Sequence, residues 1–536
     1  MRLSRFVVTV IGLVFLVSVA ISCSHADISG TNTAAKKLTT ENLKKARRAA
    51  AWKQRRVIMN NDGNDSRTAK AKTREAFLES RTTPLAGTQV DSIFYCDGIW
   101  GSFTHRSPTS DLRKGSDKAY KEWAVDLIKD GGPDPLASVI DFGHKNNIEV
   151  FWSLRMNDTH DSADPTMLRE WKKAHPELLV GKHEDRSTYK GGGRRWSGAD
   201  YAQKAVRDRT VGWFEEVAKN YDVDGFELDF FRHLIFFKNP LNGEPATQEN
   251  LDQMTEVIRR IRKIADQHAL RRGRPILIAI RVPDSVEYCR KVGLDVERWL
   301  KEGLIDMMTV SGYFRLSPWK TSVELGHHYD VPVYAGLSES RLKPEQRAKK
   351  NSIEEYRGRA MAAWKEGVDG IYIFNLFNPR SPVFREVGDP ALLAKLDKNY
   401  TTGSRSVRSA KSWIPSGLKH ITRPTPLPDS PKTLTTKQPK VVDIDVWDDF
   451  RRSDSPFQAK LLLSVENLDQ ASSLKVTLNG QALKSGTLNK DGLWVYSLPN
   501  DVLKVGKNRF TFQLTTAPSK TVKLRDLIVS VKKKTR

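Results

Sequence analysis

Between residues 55 and about 379 the chain alternates short apolar runs with longer amphipathic or polar stretches. The runs fall at 57–59, 92–96, 148–154, 225–231, 276–280, 305–310, 331–337 and 370–374, each bounded by Gly, Pro, Asp or Asn. Runs of this length without strict polar alternation are the pattern of strands buried on both faces, as in parallel sheets. Helical patterning occupies the intervals, at 134–145, 202–221, 249–268, 296–302 and 353–366. Strand and helix in regular alternation predict an α/β fold, a (β/α)8 TIM barrel over residues 55–400. An open doubly wound sheet is the competing arrangement. It is disfavoured because no Gly-rich phosphate loop follows the first strand. In a barrel, the long segments after strands two and three (97–133 and 155–200) lie at the C-terminal mouth, where barrel active sites are built.

The texture changes after Tyr400. Residues 401–439 are rich in Ser, Thr and basic residues, and Pro415, Pro424, Pro426, Pro428 and Pro431 mark a stiff linker. From 440 to 536 short alternating runs dominate, at 460–465, 474–478, 508–514 and 527–531, with a hairpin signal at Asn479-Gly480. This predicts an all-β sandwich, read as an accessory domain that supports the barrel. Its aromatic candidates Trp447, Trp494 and Tyr496 are too few for a dedicated sugar-binding face.

Residues 27–54 read as a polar, helix-prone lead-in. Ahead of them Arg2 and Arg5 precede an apolar run at 6–21 and a small-x-small site at 24–26, the build of a secretory signal over residues 1–26. Ala20-Ile21-Ser22-Cys23 also resembles a loose bacterial lipobox, which would place a lipid on Cys23, a limited anchor by itself. The expectation is export, to the medium or to the periplasm and cell envelope, with no transmembrane segment. Cys96 and Cys289 remain after processing, too few for a disulfide scaffold, although one bridge between them stays open.

Lys and Arg outnumber Asp and Glu by 88 to 64, a formal charge of +24. These cations are spread along the whole chain, and no zinc-finger, RRM or helix-turn-helix pattern accompanies them, so nucleic acid is not the expected partner. A basic surface suits an exported protein that meets anionic polymers. Neither a Gly-x-Ser-x-Gly elbow nor a P-loop occurs, which argues against acyl and nucleotide chemistry. No cofactor is expected.

The most informative stretch is 221–233. Within it Glu227 and Asp229 alternate on the fourth strand and so share a face, which in a barrel is the lumen. Two carboxylates in an apolar strand are costly to bury unless they are paired or used. Arg155, Arg232 and Arg281, at predicted strand ends, are candidate partners, and a structural ion-pair layer is the plain alternative to catalysis.

The run Asp224-Gly225-Phe226-Glu227-Leu228-Asp229 resembles the fourth-strand signature of glycosyl-hydrolase-like (β/α)8-barrel proteins. It is also similar to the chitinase-type strand, but Glu227 replaces the middle Asp and Phe231 stands where the catalytic Glu would be. The departure puts a chitinase mechanism assisted by an N-acetyl group in doubt. The resemblance implies glycoside hydrolysis, which takes two carboxyl groups flanking the scissile bond. Glu227 and Asp229 supply one cluster. Glu339, after the seventh strand, is the second candidate, since placement on strands four and seven resembles that of a large clan of retaining glycosidases. A helix-capping role is the alternative for Glu339.

Around these, Arg155, Asn157, Asp158 and His160 form a polar strand end suited to sugar hydroxyls. Asp97, Trp100, His233, Tyr313 and Asn375 complete the expected substrate contacts, with Trp100 and Tyr313 as ring platforms. A metal on Asp158, His160 and Asp161 is not expected, because hard cations gather more oxygens and zinc favours other spacings. Arg155, Arg232, His233, Arg281, Arg315 and Arg341 make the predicted mouth basic, which favours an anionic glycan such as a uronate or sulfated polymer. The sequence therefore points to an exported glycoside hydrolase acting on a carbohydrate. The alternative is a non-catalytic glycan-binding or envelope-associated protein that keeps a degenerate barrel.

Overall fold

The computed structural model describes residues 38–65, 73–112, 131–338, 352–402, 409–424, 427, 430–450 and 457–534. The segment Leu38–Arg536 forms one compact unit. The signal region with Cys23, and the sequence-predicted Glu339 and Arg341, lie outside the described residues.

Eight parallel strands close a barrel. They are β1 (Val57–Asn61), β2 (Val90–Tyr95), β3 (Glu149–Arg155), β4 (Gly225–Asp229), β5 (Leu277–Val282), β6 (Met307–Val310), β7 (Val333–Leu337) and β8 (Gly370–Ile373). Each matches one of the apolar runs, and β1 pairs with both β2 and β8. Helices wrap the outside, among them α1 (Thr40–Ala51), α2 (Arg74–Arg81), α3 (Pro135–Lys145), α4 (Lys204–Asn220) and α5 (Gln248–Arg272). They continue with α6 (Val286–Lys291), α7 (Val296–Lys301), α8 (Trp319–His328) and α9 (Ile353–Lys365). Local signals set their starts: the side chains of Asp134, Thr247 and Ser352 accept the first orphan N–H groups of α3, α5 and α9. Among the described residues, no helix is long and apolar enough to cross a membrane.

The lumen is filled in layers. Phe94 and Phe151 stack 4.4 Å apart, and Tyr372 meets Phe94 edge-on. Gly225 belongs to the same layer, where a Cβ would come within 2.2 Å of the Phe151 ring and 2.7 Å of the Leu277 carbonyl oxygen. The Asp-Gly pair that opens β4 is therefore structural. Gly225 makes room for Phe151, while Asp224 accepts from the Val150 N–H, His144 and Arg274 at the strand base.

The described part of the expected lead-in, α1, packs on the barrel. Arg47 on α1 binds Asp306 at 3.0 Å and the Gly303 carbonyl at 2.7 Å. Arg55, fully buried, donates to Glu149 and to the carbonyl oxygens of Ala51 and Ala50. These contacts hold α1 to loops and strand starts at the end of the barrel away from the mouth.

Beyond the barrel, two antiparallel sheets carry alternating buried and exposed residues, the period-two pattern of a sandwich. One sheet runs β9 (Lys398–Thr401), β15 (Lys523–Lys533), β11 (Phe457–Glu466) and β13 (Trp494–Leu498), ending on the short strand Thr487–Leu488. The other contains β10 (Lys440–Val446), β14 (Gly506–Leu514) and β12 (Leu474–Leu478), ending on Gln481–Ala482. Asn479 and Gly480 both adopt positive φ, 51° and 94°, and turn β12 back on itself as a tight hairpin. The boundary drawn at 400 falls inside β9, which pairs with β15 although it immediately follows the barrel. Lys398, fully buried, joins Asp448 at 2.9 Å and tethers that strand. Trp494 and Tyr496 are core residues of the sandwich, and Trp447 is half-buried.

Candidate active site

Asp229 closes β4 at the C-terminal mouth. Register sets it beside Arg155 of β3 and Arg281 of β5, so two guanidinium-bearing positions flank one carboxylate. Arg281 Nη2 donates to Asp229 Oδ2 at 2.7 Å, and the Phe231 N–H donates to Oδ1 at 2.9 Å. Each oxygen has thereby used one of its two lone pairs. The Arg281 guanidinium lies on the Phe374 ring, 4.0 Å from its centroid, and no solvent reaches it.

Glu227 shares that face but sits two residues earlier, deeper by about 7 Å along the strand. It is fully buried, sealed by hydrogen bonds from the hydroxyls of Ser153 and, at 2.7 Å, Tyr372. Burial and the neighbouring Asp229 push its carboxyl up to about 7, against the opposing pull of Arg281, Ser153 and Tyr372. The sequence offers Glu227 as a catalytic carboxyl; the structure puts the side chain in the layer beneath the mouth. Alternation shows which face a residue takes but not its depth.

The remaining predicted contacts divide. Asp158 is buried, held by Arg155 at 3.2 Å and His160 at 2.7 Å. Burial opposes its ionisation, yet His160, His233 and Arg155 hold the carboxyl well below its usual range. His160 is half-exposed, and its Nε2 lies 2.6 Å from Arg232 Nη2. Arg232 also donates to the Tyr313 hydroxyl and lies over that ring. His233, buried beside His160, accepts the Thr159 N–H on Nδ1, and burial holds its charged form well below the usual range. Asn375 follows β8 with a left-handed φ of 60°. Arg155, Asp158, His160, Arg232, His233, Arg281 and Tyr313 are thus joined by contacts around Asp229.

Three predicted contacts belong to the scaffold instead. Asp97 accepts from Trp152 Nε1 at 3.0 Å and meets His105 Nδ1 at 2.5 Å, which ties down the loop after β2. Asn157 spends its amide on the carbonyl oxygens of Ala199 and Ile235 and its oxygen on the Ala199 and Asp158 N–H groups. Trp100 is buried edge-on against Trp171 and Trp213, so it offers no sugar a free face. In each case the residue type suited a ligand, but long-range packing consumed its donors or face. Tyr372, Ser153 and Thr159 went unnoticed in the sequence. Inward alternation was the available signal for Tyr372 on β8 and for Ser153, two residues before Arg155 on β3.

Asp158, His160 and His233 bring ligand atoms within 4.8 Å of one another, the geometry of a possible cation site. Their lone pairs are already committed: His233 Nδ1 to an N–H, His160 Nε2 to a guanidinium, Asp158 to Arg155 and His160. A bound cation would also face Arg232 directly, so these residues fit a metal poorly. Both Cys96 and Cys289 are buried and free. A cavity of about 380 Å³ lined by Arg315, Trp319, Tyr400, Trp447 and Lys507 lies off the mouth, between barrel and sandwich. It holds none of the residues gathered around Asp229.

Residues 110–260 match the family model described as Glycosyl hydrolase-like 10. No curated protein sequence matches the chain. Among solved structures, a cycloisomaltooligosaccharide glucanotransferase from Paenibacillus sp. is similar at 8% identity and a TM-score of 0.35, covering 89% of this chain and 57% of its own. This chain therefore spans little more than half the length of that protein. A family GH18 chitinase from Chromobacterium violaceum aligns at 11% identity and a TM-score of 0.34, covering 88% of this chain and 90% of its own. An alpha-L-fucosidase isoenzyme 2 from Paenibacillus thiaminolyticus aligns at 12% and 0.38, covering 64% and 48%. The β4 signature lies within the stretch that is similar to Glycosyl hydrolase-like 10, in a chain whose described residues form a closed (β/α)8 barrel followed by C-terminal β-sheets.

Proposed function

We propose that the chain is an exported enzyme of glycosidase type whose reaction centre is Asp229 at the barrel mouth. The observation that carries this is the placement of Asp229. It stands at the C-terminal end of β4, oriented by the Arg281 guanidinium and the Phe231 N–H, with one lone pair left on each oxygen. In this reading Asp229 is one of the two carboxyl groups that glycosidic cleavage requires, and Glu339, following β7 in sequence, is the other. Arg155 and Arg281 balance the charge of Asp229, and Glu227 tunes the field from below. The basic mouth and the N-terminal signal pattern support action on carbohydrate outside the cytoplasm, with Cys23 as an optional lipid anchor. The sandwich serves as support for the barrel.

A second reading, glycan binding without turnover, draws on a specific observation. The β4 carboxylates and Asp158 are already engaged by protein donors. One experiment separates the two: reducing-end release from a polysaccharide panel, beside Asp229→Asn and Glu339→Gln. Hydrolysis that falls by about 10²-fold or more in both variants supports the enzyme. Binding without release of any product, unchanged in both variants, supports the binding protein.

A further inference from the structure

The hydrogen-bonding balance around Asp229 is lopsided. Each carboxylate there already accepts from the protein: Asp229 from Arg281 and Phe231, Asp158 from Arg155 and His160, Glu227 from Ser153 and Tyr372. Among the described residues, the polar atoms left without a partner there are nearly all donors. They are Arg281 Nε and Nη1, Arg232 Nε and His233 Nε2, accompanied by the Thr159 hydroxyl.

The state of His233 follows from its surroundings. Nδ1 accepts the Thr159 N–H, so it carries no proton, and the neutral ring must hold its proton on Nε2. That Nε2–H is buried and points at no acceptor. His160 is arranged the opposite way: Nδ1 donates to Asp158, and Nε2 accepts from Arg232. The more exposed His160 and Arg232 form the rim, with the buried donors of His233 and Arg281 behind it.

Buried donors without acceptors cost free energy until a ligand supplies acceptors. A sugar hydroxyl brings a donor along with its acceptor, so it answers this excess of buried donors only in part. An oxyanion brings acceptors only, and Arg232 and Arg281 can meet it as charge-assisted donors. We infer that the wall formed by Arg232, His233 and Arg281 is a subsite for an oxyanion carried on the glycan, the carboxylate of a uronic acid or a sulfate ester. This rests on the reading that the mouth is the glycan site, and it names the class of glycan.

The test is calorimetric binding to the full-length protein of short uronate-bearing oligosaccharides, their methyl esters, sulfated dextran fragments and unmodified dextran fragments. The methyl ester keeps the sugar and removes the charge. The expectation is at least about tenfold tighter binding of one oxyanion series than of its neutral counterpart, a factor worth 1.4 kcal/mol. That selectivity should disappear in Arg232→Gln and in His233→Phe, with thermal unfolding checked for each variant. If Arg232→Gln alone folds, it still decides the matter. Preference for uronate over sulfate, or the reverse, identifies the source of the oxyanion. Polyanion binding that both variants leave untouched would reflect the overall +24 charge and overturn the subsite. Tight, salt-insensitive binding of neutral dextran that is lost in Asp229→Asn would also overturn it, while leaving the glycosidase reading intact.

Discussion

Glu227 offers a measurement that reads the interior of the barrel directly. In the folded chain burial and Asp229 raise its carboxyl to about 7, against an ordinary value of 4.5. Between those values the folded state binds a proton that the unfolded chain has released, so stability must fall as pH rises. The contribution is complete below pH 4.5 and is lost as pH climbs through 7. A gap of that width corresponds to about 3 kcal/mol. Glu227→Gln copies the shape of the protonated acid and stays uncharged. In both, one of the Ser153 and Tyr372 hydroxyls must turn to accept rather than donate. The variant should match the wild type near pH 4.5 and exceed it by about 3 kcal/mol at pH 8. Urea unfolding of both proteins at half-unit intervals from pH 4.5 to 8.5 supplies the curves. The subtraction cancels every other titrating group that the variant leaves alone. Parallel curves, with a constant offset across the range, would refute the argument and mean that Glu227 is charged in the folded protein throughout.

Tyr372→Phe removes the 2.7 Å donor to Glu227 Oε1 and so should move the midpoint of that pH difference upward; a midpoint that stays or falls contradicts the assigned bond. His105 titrates in a separate window. Its own burial opposes the charge, but Asp97 and Glu216 prevail and raise it from 6.5 to about 9. Stability from this group is full below pH 6.5 and is lost as pH rises through 9. His105→Gln should flatten a fall of about 3 kcal/mol between pH 7 and 10, read by the same unfolding assay. Arg47→Ala severs α1 from Asp306 and Gly303 and should cost about 3 kcal/mol. Hydrogen exchange should then show α1 opening ahead of the barrel strands, and uniform protection would argue against the floor role.

What could be read in advance depended on range. The apolar runs placed all eight barrel strands, because strands buried on both faces need continuous hydrophobicity and that demand is local. Alternation placed Glu227 and Asp229 on one face. The Asn479-Gly480 hairpin was equally legible, since only certain residues tolerate two successive left-handed positions. Tertiary structure alone decided which carboxylate reaches the mouth. Glu227 and Asp229 differ by one step of the pleat, yet residues 74 and 145 positions away seal the first in a closed layer. It likewise decided that Asp97, Asn157 and Trp100 serve the scaffold, that the lead-in helix holds the barrel floor, and that β9 pairs with a strand at the far end of the chain. A residue type states which bonds a side chain can make. Which of them it has already spent depends on neighbours the sequence places far away, and local pattern holds no record of those.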